Sequence, residues 1–327
     1  MAKTYVTRDQ VGFNFGFDFY DSRQIFRNRW LTNIVTDEVV KMRHSGAITE
    51  TDLAVIKFVF KYTFITAEMV RDMYYPDASV EAIEAKMESL VKGRFLNKFY
   101  LSNEERDDFP DDAFPIYCMD YAGKALLNNY GDVEDSFAIE KWTSASVLMS
   151  SARISSKLIS ANFYAKLVKN CKENLVYLKV SPTYRKQKNP ITPAFEFCLN
   201  SNGGKKYFIG LTAREVSLIP HFRDMASKIE DFICSNLWAK IFHDGGNSHP
   251  VVIVIADNDL VALEAAKIIS SATSIKAIRY TTDDRIKRKL SERGAFLKFV
   301  PAGESEDFPE AHLEEVKASV FSAPGES

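Results

Sequence analysis

The run Pro250-Val251-Val252-Ile253-Val254-Ile255-Ala256 contains no polar side chain. It has no face to offer water, so it reads as a strand buried inside a sheet. It lies between two helical stretches, about Phe222 to Phe242 before it and Leu260 to Ala272 after it, and a further strand follows over Ile275 to Tyr280. Upstream, strand-like runs occupy Leu175 to Val180, Ala194 to Leu199 and Lys205 to Leu211. The last two are joined by Asn200-Ser201-Asn202-Gly203-Gly204, a strong hairpin signal. A helical stretch from Thr143 to about Lys169 precedes them, with Val147, Ile154, Leu158, Phe163 and Leu167 as its core contacts and Arg153, Lys157 and Lys166 facing outward. The resulting order, α-β-β-β-α-β-α-β, predicts an α/β domain over residues 143–301.

A chain of 327 residues with 46% hydrophobic content is long enough for two cores. No apolar run approaches the roughly 20 residues of a membrane-spanning helix, and Met1 to Gln10 is polar, so a soluble, cytoplasmic protein is expected. Cys118, Cys171, Cys198 and Cys234 lie far apart and form no metal or redox pair; they read as small buried hydrophobes. The five histidines show no metal-ligand spacing, so neither a metal nor another cofactor is expected. A net charge of −2 conceals segregation. Glu50 to Asp112 holds fourteen acidic residues against eight basic, whereas Ser151 to Arg214 holds twelve basic against two acidic.

Ile48-Thr49-Glu50-Thr51-Asp52-Leu53 carries a capping box, with Thr49 and Asp52 three apart and Ile48 placed to staple onto Leu53. A helix should follow to about Tyr62, and Leu53, Ile56, Phe60 and Phe64 make its apolar stripe. A second helix begins at Thr66, stapled by Ile65 and Val70, and ends at Pro76. A third runs from about Ser79 to Lys92, burying Val80, Ile83, Met87, Leu90 and Val91, with Gly93 as its stop. Arg94 to Leu101 and Phe114 to Met119 then form two strands around an acidic loop, and a short helix follows Asp120.

The stretch from Thr49 to Leu127, with LVKGRFLNKFYL and then FPIYCMDYAGKALL, resembles the winged helix of the replication-relaxation family, proteins of plasmids and conjugative elements. The resemblance implies a winged helix-turn-helix over 47–131 and, behind it, a restriction-endonuclease-like α/β domain, so that it covers the chain from Thr49 to about Pro301. In winged helices the third helix enters the major groove and the wing touches the backbone. That nominates Ser79, Ala82, Lys86 and Ser89 for base edges and Lys92, Arg94 and Lys98 for phosphates. Asp77, Glu81, Glu84 and Glu88, on or near the same helix, oppose this.

A nuclease of the second fold needs a carboxylate on its second strand and an acidic-x-lysine arrangement on its third, because these hold the metal that activates water. Here Pro193-Ala194 stands at the first place, and Gly210 and Thr212 stand where the acids of the second would be. Glu196 and Glu215 are the remaining acids nearby; Glu196, alone in an apolar strand, reads as paired with a base or placed on the open face. No catalytic residue is nominated. Tyr184 to Pro190 is a basic loop with an aromatic, so Arg185, Lys186 and Lys188 join Arg153 and Lys157 as candidate DNA contacts.

Residues 1–46, with Phe13, Phe15, Phe17, Phe19 and Tyr20 among Arg23, Arg27, Arg29 and Arg43, read as an N-terminal partner-binding arm, and 302–327 as an acidic flexible tail. The leading expectation is a non-catalytic accessory protein that binds double-stranded DNA at an origin or promoter, as a monomer or homodimer. It would position relaxases or other mobile-element proteins there. The alternatives are a protein-interaction adaptor that uses the acidic winged helix, and a divergent metal-dependent nuclease.

Overall fold

The structure is a computed structural model that describes residues 4–10, 12–15, 19, 21–184, 190–201, 204–214, 218–242, 249–303 and 310–321, with the backbone alone for 218–221. The chain is mixed α+β and forms two compact units. The first comprises residues 1–10 and 15–165, the second 11–14 and 166–327.

In the first unit, α1 (Thr36–His44), α2 (Glu50–Tyr62), α3 (Ala67–Tyr74) and α4 (Val80–Lys92) are followed by β2 (Leu96–Ser102), β3 (Ile116–Met119) and α5 (Tyr121–Tyr130). The capping box closes as expected: Thr49 Oγ1 accepts from the Asp52 amide at 3.1 Å, and the Asp52 carboxylate accepts from the Thr49 amide at 3.0 Å. α2 is buried over more of its surface than one stripe. Val55, Phe58, Val59 and Tyr62 join Leu53 and Ile56 in the core, while Phe60 is half-exposed. Gly93 ends α4 for a different reason than expected. Its φ is −75°, the left-handed residue is Arg94 (φ 63°), and a methyl on Gly93 would lie 2.9 Å from the Phe95 ring. The first strand therefore starts at Leu96 rather than Arg94.

β2 and β3 form an antiparallel pair, Leu96 opposite Met119 and Phe99 opposite Ile116, and Ile65 bridges to Tyr117. Part of the expected N-terminal arm pairs with this unit's sheet. β1 (Arg23–Phe26) pairs antiparallel with β2, and Tyr5 bridges to Ser102. Phe26 packs edge-on against Trp30, which in turn meets Tyr121 and Trp142. Aromatic packing thus holds part of the segment read as a partner-binding arm.

After α6 (Ser136–Lys141), the single helix expected from Thr143 is split. A 3-10 turn over Ser144–Val147 is separated from α7 (Ser151–Cys171). The unit boundary falls inside α7, after Ala165, rather than near 143, because Tyr164 stacks on Tyr62 of α2 at 5.0 Å. Lys166, expected to face outward, is buried.

In the second unit β4 (Leu175–Val180), β5 (Phe195–Ser201), β6 (Gly204–Ala213), β7 (Val251–Ala256), β8 (Ile278–Thr282), β9 (Phe296–Val300) and β10 (His312–Val316) form one sheet in the order β10-β9-β8-β7-β6-β5-β4. The pairs β6·β7 and β7·β8 are parallel and the rest antiparallel. The parallel pairs need crossovers, which α8 (Leu218–Cys234) with α9 (Leu237–Ile241), and α10 (Asp259–Ala272), supply. The long helix expected to Phe242 breaks at Asn236, whose left-handed φ of 55° asparagine tolerates better than most residues.

Side chains alternate along the strands. Tyr207, Ile209, Leu211, Val252, Val254, Ile278 and Tyr280 share a core with Phe222, Ile229, Phe232, Ala262 and Ala266 of α8 and α10. On the opposite face Phe197 stacks on Phe208 at 4.5 Å and Phe296 on Phe321 at 4.9 Å. The described residues after Pro301 are therefore not only a tail, since β10 and Phe321 belong to the unit. The turn residues Asn202 and Gly203 lie outside the described residues, but the ladder closes at Ser201 opposite Gly204. Of the four free cysteines, Cys234 is exposed and the other three are buried. No helix among the described residues is long and apolar enough to cross a membrane.

Candidate functional site

The exposed face of α4 carries Glu81, Ala82, Ala85, Ser89 and Lys92, with Ser79 at its N-terminus, while Ile83, Met87, Leu90 and Val91 are buried beneath. Ser79 is already committed locally, because its hydroxyl accepts from the Ala82 amide at 3.2 Å. Among the cations nominated around this helix, three are engaged within the unit. Lys86 lies 3.2 Å from Asp52 and over the Tyr75 ring. Burial works against its charge, but the contacts with Tyr75 and Asp52 outweigh burial and hold the ammonium above the ordinary lysine range. Lys98 pairs with Glu88 at 2.6 Å and covers the Phe109 ring at 4.7 Å. Arg94 pairs with buried Asp120 at 3.1 Å and donates to the Arg29 carbonyl. Burial raises the Asp120 carboxyl to about 6, against the Tyr121 amide and Arg94, which lower it.

These pairings also answer the acids. Glu88 is held by Lys98, and Glu84 by Arg8, a residue 76 positions away in sequence. Asp77 and Glu81 remain exposed at the N-terminal end of α4. At its other end, Lys92 is exposed, and the chain between β1 and α1 is fixed beside it by backbone contacts. The Arg27 amide donates to the Lys98 carbonyl at 2.8 Å, and Asn28 Nδ2 donates to the Val91 carbonyl at 3.1 Å. Arg27 and Arg29 flank that asparagine and are exposed, and neither has an ion-pair partner among the described residues. Packing therefore places Arg27 and Arg29 at the base of the hairpin. In the sequence the only clue is a basic pair around an asparagine. Of the more distant candidates, Arg153 is exposed and Lys157 is half-buried, its pKa lowered by burial. Arg185, Lys186 and Lys188 lie outside the described residues, as does Glu215. Tyr184, expected to lie along phosphates, is instead buried, stacked on Phe232 at 4.5 Å.

The second unit holds a cluster that the sequence reading does not nominate. Arg214, Asp257 and Asp283 follow β6, β7 and β8, three parallel strands whose C-terminal ends lie side by side. That is the edge at which open α/β sheets usually bind ligands. Here it is filled. Arg214, 1% exposed, donates from Nη1 and Nη2 to both oxygens of Asp283 at 3.1 and 3.0 Å, and from Nη1 to Asp257. The Phe13 amide donates to Asp283 Oδ2 at 2.6 Å. Gly12, at φ +71°, passes so close that a side chain there would meet Asp283 Cβ at 2.6 Å. Burial pushes the Asp283 carboxyl up, although Arg214 and the Phe13 amide pull it down. The guanidinium is thus a fixed internal cation between two carboxylates. A signal does exist in the sequence, since each of the three is the first charged residue after its strand.

A side chain at Gly210 would overlap the Phe195 ring, so no carboxylate fits there. Glu196 is buried, pairs across the strands with Lys179 at 3.1 Å and accepts from the Tyr184 hydroxyl. Among the described residues no group of three or more His, Cys, Asp or Glu side chains converges as a metal site. No protein-family model, curated protein or solved structure matches the chain.

Proposed function

We propose that this chain is a non-catalytic accessory protein that binds double-stranded DNA through its first unit, with α4 in the major groove and β2 and β3 as the wing. The observation that carries the reading is the face of α4. Small exposed side chains, Ala82, Ala85 and Ser89, let a groove approach closely, and exposed Lys92, Arg27 and Arg29 border its C-terminal end. Meanwhile Glu84 and Glu88, which would repel phosphates, are neutralised by Arg8 and Lys98. The order α2-α3-α4-β2-β3 and the Ile65 to Tyr117 bridge support a winged-helix reading, in keeping with the resemblance to the replication-relaxation family. In the second unit, the order β4-β5-β6-α8-β7 supports the likeness to a restriction-endonuclease-like body. The overlap at Gly210 supports the loss of cleavage. On this reading the protein marks an origin or promoter of a plasmid or conjugative element and positions relaxases or other proteins there.

Fluorescence anisotropy of labelled duplexes at two salt concentrations tests it. Each phosphate contact contributes about 0.9 to the slope of log affinity against log salt. Replacing Arg27, Arg29 and Lys92 together by glutamine should therefore flatten the slope by roughly 2 to 3. Absence of salt-sensitive duplex binding, or an unchanged slope in that variant, rejects the assignment. Exposed Asp77 and Glu81 favour one second reading, docking of a basic protein on the N-terminal end of α4. That reading predicts no duplex binding, and loss of the protein partner on replacing these two acids by their amides.

A further inference from the structure

The face of the second unit's sheet opposite α8 and α10 contains a cavity of about 210 Å³. Strand alternation explains its lining. Lys206 and Phe208 of β6, Val251 and Ile253 of β7, and Arg279 of β8 occupy one side of the sheet, because their neighbours Tyr207, Val252 and Ile278 are in the helix-covered core. The chain after β10 closes the remaining side with Lys317 and Phe321. The floor is apolar, with Phe321 buried and its ring 5.5 Å from Phe208. The wall is cationic: Lys206, Arg279 and Lys317 all line the cavity, and no carboxylate among the described residues does. None of the three has an ion-pair partner among the described residues.

Three like charges around one small cavity repel one another, and an anion entering it relieves that repulsion. The apolar lining adds a second requirement, because a fully hydrated anion leaves the half-buried Val251, Ala277 and Val320 uncovered. The volume sets a third, being below the roughly 300 Å³ at which drug-sized sites begin. We propose that this cavity binds a small organic anion consisting of one flat ring system bearing a single carboxylate or phosphate. The ring lies on the half-buried Val251, Ala277 and Val320, and the anionic group is held by Arg279, Lys317 and Lys206. Arg279 is the half-buried member of the trio and sets the position of the anion; the exposed lysines close over it.

The test uses the full chain with phenyl phosphate, benzoate, benzamide and inorganic phosphate as probes, followed by saturation-transfer NMR and calorimetry. Phenyl phosphate or benzoate should bind saturably, at least about tenfold more tightly than inorganic phosphate, which lacks the ring, and than benzamide, which lacks the charge. Arg279→Gln with Lys317→Gln should weaken binding at least tenfold without lowering the melting temperature. Exposed Lys206→Gln alone, which puts no folding contact at risk, should weaken it severalfold. The assignment is overturned if none of the ring-bearing anions binds, if inorganic phosphate or benzamide binds as tightly as they do, or if all variants bind like the parent. It is also overturned if the double variant loses duplex affinity while the parent binds no small anion, since the cations would then belong to a DNA surface. Duplex binding through α4 is measured separately, so either assignment can fail alone.

Discussion

Replacing Arg214 with methionine isolates the energetics of the buried cluster. The guanidinium is 1% exposed, and its partners Asp257 and Asp283 have side chains 1% and 3% exposed. Methionine keeps much of the volume and removes the charge, leaving two carboxylates in a dry environment. Breaking a buried ion pair in this way costs about 3–5 kcal/mol. At roughly 2–4 °C per kcal/mol for a domain of this size, the second unit should melt roughly 6–20 °C lower. The pH dependence identifies the cause. Without Arg214 the folded-state pKa of Asp283, already raised by burial, moves further above the unfolded value of about 3.9. Stability from such groups is fully present below the unfolded pKa and is lost as pH rises through the folded one. The deficit should therefore be greatest at pH 7 and shrink on going to pH 5, as read by urea denaturation at the two pH values. Converting Asp257 and Asp283 to asparagine in the same background should recover most of the loss, because no unpaired charge remains. A deficit under about 1 kcal/mol at pH 7, or one identical at both pH values, would show that the cluster does not carry this energy.

Further outcomes follow from other contacts. Gly210→Ala should destabilise the second unit by about 1–3 kcal/mol through overpacking against Phe195, and Phe195→Leu should relieve part of that in a double-mutant cycle. Gly123→Ala, which places a methyl against the Phe95 carbonyl where α5 crosses the start of the hairpin, should lower the melting temperature of the first unit. Thr49→Ala removes the cap of α2 and should cost roughly 1 kcal/mol in urea denaturation. Burial opposes ionisation of Asp52, but Thr49 and Lys86 outweigh it; the Arg285 hydrogen bond lowers Asp259. Both depressed carboxyls contribute stability present above about pH 4 and lost as pH falls through their folded values, so thermal melts should drop below about pH 4, and less so in Arg285→Gln. Plasmid DNA incubated with magnesium or manganese should stay intact; nicking that disappears in Glu196→Ala would reverse the non-catalytic reading.

The elements most legible in the sequence are those with local causes. The capping box at Thr49, the buried face of α4 and the strand through Ile253 each declare themselves within a dozen residues, because helix and strand periodicities are local. The edge strand β10 is harder to see. His312-Leu313-Glu314-Glu315-Val316 looks like acidic tail, and it becomes a strand through pairing with β9 and the reach of Arg285 to Glu315 at 2.9 Å. Arg23 to Phe26 is similar, since its strand exists only as a partner of β2.

At the candidate sites the division is sharper. The sequence alone determined that α4 exposes small residues and that Gly210 and Thr212 are not acids. It left open which charges stand free. Arg8 meets Glu84 and Lys98 meets Glu88 only after the first unit has packed, and the same packing leaves Arg27, Arg29 and Lys92 exposed. Arg214, Asp257 and Asp283 converge because parallel strands bring the ends of distant segments side by side. Charge pairing depends on distance in space, and separation along the chain says little about that distance until the core has formed.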